Sequence, residues 1–222
     1  MYEVVVSAIC WFLLLQFFLR VLRFDLADSA NLVYGTFGML APRIVEYYFY
    51  QNPSMLDISR FGAELTWFEY VVCVVSSGYF LYDIPLSIYT KEIWYMKLHH
   101  ALSFIIIFST LHYNRCGLEI FVCLWLGEVT SPCAFWIFFL QNKPKLDTST
   151  PAVVNKVFFL VFFLVLRFGL GPFLVYELMK SKETLFLIKL GCVLFYIVNF
   201  IILRNVLAGI KSMYKSMQAK KE

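Results

Sequence analysis

Two of the three histidines in the 222-residue chain are adjacent, in Lys97-Leu-His99-His100-Ala-Leu-Ser103. They sit where an apolar run begins, and an ionisable side chain at a membrane edge is costly enough to mark function. Imidazole exchanges a proton near neutral pH and serves as a general base or as a nucleophile. Successive residues on a helix point about 100° apart, so only one of the two rings can face a given target. Asp83, at the end of the preceding apolar run, is placed to orient one ring or to stabilise it once charged. Tyr79, one turn earlier on the same helix face, can hydrogen-bond into the same place. The plainer alternative is a pair of interfacial histidines hydrogen-bonded to loops.

Two further charges lie deep in apolar sequence. Glu128 falls roughly 15 Å from the start of its run and Arg167 about 20 Å into the next, at 1.5 Å per residue. A lone charge at that depth is expensive and an ion pair lowers its cost, so a Glu128–Arg167 clamp is one expectation. A catalytic or substrate-facing Glu128 is the other. Pro132, four residues on, predicts a kink and a freed carbonyl close to the carboxylate. Glu69 and Asn199 are candidate interhelical hydrogen-bond partners. His112 reads as an interfacial anchor.

The elements that must position these residues follow from composition. The chain is 61% hydrophobic, 19% aromatic and 15% charged, which excludes an ordinary soluble domain. Several apolar runs reach the roughly 20 residues that cross a hydrocarbon core. The expected fold class is all-α, a polytopic membrane bundle of about seven transmembrane helices. The spans are 4–22, 31–50 (interrupted by Pro42, Arg43 and Glu46, hence kinked or partly interfacial), 65–84 (stopping at Pro85), 98–113, 118–140, 152–178 and 185–207. A polar loop, Gln141 to Pro151, precedes the sixth. Residues 1–30 form a first helix and connector, 31–208 a six-helix domain, and 209–222 a basic tail able to touch anionic lipid.

Most of the 19 lysines and arginines, including Arg20, Arg23, Lys97, Lys143, Lys156 and the tail lysines, fall on one side of this arrangement. That side is expected to be cytoplasmic and to hold the C-terminus. The net charge of +4 reads as topology and gives no reason to expect a nucleic-acid partner. The six cysteines lie singly with no Cys-x-x-Cys spacing, so neither a disulfide framework nor a zinc site is expected from them, and no metal or cofactor is assigned.

Four stretches in order carry a resemblance: Gly78-Tyr-Phe-Leu-Tyr-Asp83, Leu98-His-His-Ala-Leu-Ser103, Gly127-Glu-Val-Thr-Ser-Pro132, and Asn155 through Arg167. Together they resemble the TLC-domain family, which includes ceramide synthases and smaller TLC-domain proteins. The resemblance runs over about residues 31–207. It implies a helical bundle around a lipid-accessible cavity, and, in ceramide synthases, acyl transfer from acyl-CoA through the paired histidines and downstream acids. His99 and His100 match the histidine pair, and Ser103 takes the usual threonine position. With Arg115-Cys-Gly117 aligned on that subfamily's Arg-x-Gly, the second acid position falls on Glu128 and the first on Trp125. The match is therefore nearer to the smaller TLC proteins, which are associated with membrane lipid composition.

The readings this leaves open are three. The first is a membrane acyltransferase, of possible sphingolipid substrate, using acyl-CoA as co-substrate. Its catalytic residues would be His99, His100, Asp83 and Glu128, supported by Tyr79, Ser103 and Arg167. The second is a non-catalytic lipid-binding or regulatory protein. The third is a structural subunit of a larger membrane complex, or a homo-oligomer. Membrane lipids are the expected partners, and the endoplasmic reticulum is the family's usual address.

Overall fold

The computed structural model describes residues 2–90, 92–141 and 149–218. Lys91, most of the polar loop before the sixth span, and the last four residues of the basic tail lie outside the described residues. Nine α-helices make up the described architecture: α1 (Tyr2–Arg20), α2 (Leu26–Gln51), α3 (Trp67–Tyr89), α4 (Trp94–Tyr113), α5 (Gly117–Glu128), α6 (Ser131–Gln141), α7 (Thr150–Phe163), α8 (Gly171–Lys180) and α9 (Phe186–Gln218). Among the described residues there is no strand, only an isolated bridge between Glu64 and Arg115.

These helices form seven rods, because α5 and α6 continue one another, and α7 and α8 are joined by a π-helical stretch at Leu164–Leu170. Five rods are long and apolar enough to cross a membrane: Tyr2–Arg20, Trp67–Tyr89, Gly117–Ile137, Thr150–Lys180 and Phe186–Ala208. The other two, α2 and α4, are long enough but more polar, and both pack inside the same bundle. The chain is an integral membrane protein. Its outward face carries large apolar side chains such as Phe158, Val161, Phe162 and Val165 on the sixth rod, as a lipid-facing surface requires.

Local chemistry sets the ends. Asp25 caps α2 by accepting from the Asp28 N–H at 2.7 Å. α3 opens with a reciprocal box: the Glu69 N–H donates to Thr66 Oγ1 (3.2 Å) and the Thr66 N–H donates to Glu69 Oε2 (2.8 Å), which satisfies two otherwise orphaned donors. Glu69 also pairs with Arg60 at 3.3 Å. It is thus a helix-end residue tied to the preceding connector.

The helix does not stop at Pro85. α3 runs four residues further to Tyr89, although proline removes one backbone hydrogen bond and typically costs about 3 kcal/mol inside a helix. The compensation is tertiary, since α3 packs along both α1 and α4. Gly78 allows the first of these contacts, because a Cβ there would collide with Ser7 and Ala8 of α1. Pro42 likewise lies inside α2, which is one unbroken 26-residue helix.

The core between the rods is strongly aromatic. Phe37 stacks on Tyr79 with ring centroids 4.0 Å apart, and Trp11 meets both rings edge-on. At one end of the bundle a polar plug joins the connectors. Glu119 Oε1 accepts from the Gly62 N–H (2.6 Å) and from Thr184 Oγ1 (2.8 Å). Arg115 Nε donates to the Gly62 carbonyl (2.8 Å), and its guanidinium pairs with Glu183 (2.9 Å). The plug lies where α3 and α5 begin and α4 ends. The histidine pair, near the start of α4, is at the other end.

Candidate functional site

A cavity lies between α3, α4, α5, α8 and α9, with Arg167 of the π-helical stretch in its wall. It measures about 110 Å³, smaller than the roughly 300–1,000 Å³ that encloses a whole small ligand. Its walls are mostly apolar. The polar groups gathered on them are His99, Ser103, Glu128, Arg167 and Asn199.

The histidines separate as helix geometry requires. His99 lines the cavity with its ring edge-on to Phe195 of α9, centroids 5.1 Å apart. Its Nδ1 is buried and makes no hydrogen bond. His100 points about 100° around α4, where its Nδ1 meets Oδ2 of Asp83 in the last turns of α3. Glu92, in the connector between these helices, brings its Oε2 to 3.9 Å from the same nitrogen. Burial pushes the Glu92 carboxyl above the usual carboxylate range, with the His100 charge pulling the other way.

Ser103, one turn after His99, also lines the cavity, and its hydroxyl donates back to the His99 carbonyl at 2.9 Å. Tyr79 lies in the aromatic core, stacked on Phe37. Its ring is 2% exposed inside the aromatic core and is not among the residues lining the cavity.

Glu128 is buried in the cavity wall and accepts from Ser131 Oγ at 2.5 Å; Ser131 in turn accepts from the Tyr34 hydroxyl at 3.1 Å. Gly38 of α2 permits this approach, since a Cβ there would strike the Ser131 side chain. The expected direct clamp from Glu128 to Arg167 is not formed. Arg167 donates through one terminal nitrogen to the Gly127 carbonyl (2.5 Å) and through the other to Asn199 Oδ1 (3.1 Å). The reason lies in the backbone. The rod breaks at Val129–Thr130, just ahead of Pro132, and Arg167 takes the Gly127 carbonyl exposed beside the break. The guanidinium is hydrogen-bonded by two uncharged oxygens and sits over the Phe163 ring at 5.7 Å, while its Nε stays buried without a hydrogen bond.

The π-helical stretch that carries Arg167 was not legible from composition, although such bulges are frequent at functional sites. Glu92 also escaped, because a carboxylate in a short connector reads as solvated surface. Two thiols meet in the cavity wall, Cys123 of α5 and Cys192 of α9, with sulfurs 3.7 Å apart. They lie far apart in sequence, and no local spacing announces them. Trp125, at the position of the first acid in ceramide synthases, donates its indole N–H to Glu46 Oε1 at 2.9 Å. An acid is thus present beside this position, supplied by α2.

The arrangement offers a base or nucleophile, His99, and a carboxyl, Glu128, at the polar wall of an apolar cavity in the membrane. No solved structure matches the chain. The family model described as the TLC domain matches residues 29–210, from the start of α2 into α9, and the chain therefore belongs to the TLC-domain family.

Proposed function

We propose that this protein acts in membrane lipid metabolism as an acyl-CoA-dependent acyltransferase, with His99 as the group that does the chemistry. The observation that carries this reading is the orientation of the pair: His99 alone of the two lines the apolar cavity, with its Nδ1 free of hydrogen bonds. The acceptor lipid's hydroxyl or amine attacks the thioester carbon. His99 takes the acceptor proton, the new C–O or C–N bond forms as the C–S bond breaks, and the proton passes to the departing thiolate. Glu128 holds a compensating charge deeper in the wall. Asp83 acts through His100 and positions the turn of α4 from which His99 projects. A sphingoid acceptor, a cytoplasmic C-terminus and an endoplasmic reticulum location belong to the same reading.

The test is mass spectrometry of lipids formed by purified wild type and His99→Ala from acyl-CoA and candidate acceptors. Loss of product from a variant that still inserts and elutes normally supports the reading; equal product from both overturns it. The second reading is a protein that holds a lipid without turning it over, and it is favoured by Trp125, an indole where ceramide synthases carry an acid. Lipid co-purifying with the wild type, with no product formed, selects that reading.

A further inference from the structure

The face of α4 next to the one lining the cavity carries a second cluster. Asp83 of α3, Glu92 of the connector and His100 of α4 each point one ligand atom to a common centre, all within 4.8 Å of one another. The cluster mixes nitrogen with oxygen. His100 is 6% exposed. Its Nδ1 and the facing Asp83 Oδ2 are both buried and pair with one another. Two carboxylates thus share one ring in a single cluster.

The geometry points to a binding site for a divalent transition cation of the zinc class, held by Asp83, Glu92 and His100. Zinc accepts imidazole nitrogen and carboxylate oxygen at about 2.0–2.2 Å and uses three protein ligands with an open fourth position. Calcium takes six to eight oxygens, and magnesium keeps several waters, so neither matches a three-group set containing imidazole. Ligands at these lengths around a tetrahedral centre lie roughly 3.3–3.6 Å apart, so the 3.9 Å between Glu92 and the ring nitrogen nearly fits, and loading must instead part Asp83 from His100, which here touch. A bound cation joins α3 to α4 and fixes the His100 ring. It does so one residue from His99, about 100° around the helix. The cysteines are not involved, which is why ligand spacing among them gave no sign of this site. The inference stands apart from the proposed acyl transfer and is read without lipid substrate.

The experiment uses the full-length chain in detergent micelles, stripped with EDTA and dialysed against zinc chloride. Wild type is expected to retain about one equivalent of zinc, and Glu92→Gln and Asp83→Asn to bind it at least roughly tenfold more weakly. Excess calcium should leave the zinc in place. X-ray absorption of the loaded wild type should show a nitrogen and oxygen shell at about 2.0–2.2 Å. No uptake by wild type, uptake by Glu92→Gln equal to wild type, displacement by calcium, or sulfur in the zinc shell each overturns the site. Glu92→Gln changes a connector residue, so it decides the question even if Asp83→Asn does not fold.

Discussion

Arg167 donates to the Gly127 carbonyl, at 2.5 Å, and not to the Glu128 carboxylate one residue further on. A buried guanidinium in this protein is therefore solvated by a backbone oxygen that a helix break exposes and by an amide from α9. Among the described residues Ser131 is the direct hydrogen-bond partner of Glu128, in a wall shared with His99.

The consequence for stability is a specific coupling. In a double-mutant cycle, Arg167→Met and Asn199→Leu should show an interaction energy of roughly 0.5–1.5 kcal/mol, the range for membrane hydrogen bonds. The cycle of Arg167→Met with Glu128→Gln should give less. Unfolding measured in detergent for the six proteins checks this, and a larger coupling with Glu128 would restore the direct clamp.

His100 and His99 should fail in different ways. His100→Ala leaves Asp83 partly buried beside a vacancy, and removing one member of a buried pair destabilises by more than the pair contributes. A loss of about 1–3 kcal/mol is expected, discounted for the water that reaches Glu92. His99→Ala removes a ring with no hydrogen bond at Nδ1 and should lower the melting temperature less. Thermal unfolding of the two variants side by side tests the order.

Glycines divide by what faces them. Gly38→Ala drives a methyl into Ser131, the residue that holds Glu128, and should cost about 1–3 kcal/mol by overpacking. Gly169→Ala has nothing within 4 Å and should be neutral or stabilising by up to about 1 kcal/mol, the helix-propensity difference. Melting temperatures of the pair decide it; equal losses would contradict the close approach of α2 to α6.

The start of α3 offers a local test. Thr66→Ala removes the hydroxyl that accepts from the Glu69 N–H, with an expected cost of about 1 kcal/mol. Chemical or thermal unfolding reads it directly. Glu69→Gln should cost more, because it also leaves Arg60 without its 3.3 Å partner.

Much of this molecule was determined by the order of its residues alone. Apolar runs of membrane length dictate helices, since a backbone in lipid must satisfy its own hydrogen bonds. Adjacency of His99 and His100 dictates that they diverge. The Glu-x-x-Ser-Pro run places a helix break beside a carboxylate.

Tertiary packing decided the rest. Pro85 should end α3, yet contacts with α1 and α4 carry the helix past it. Stacking on Phe37 took Tyr79 into the core. Which histidine faces the cavity, which oxygen Arg167 finds, and that Glu92 joins Asp83 and His100 all depend on groups brought together from separate rods. Local periodicity carries no record of how rods rotate about their axes, and that rotation is set by the side chains that interlock between them. The site is written in the sequence as residue types, and only the bundle gives it geometry.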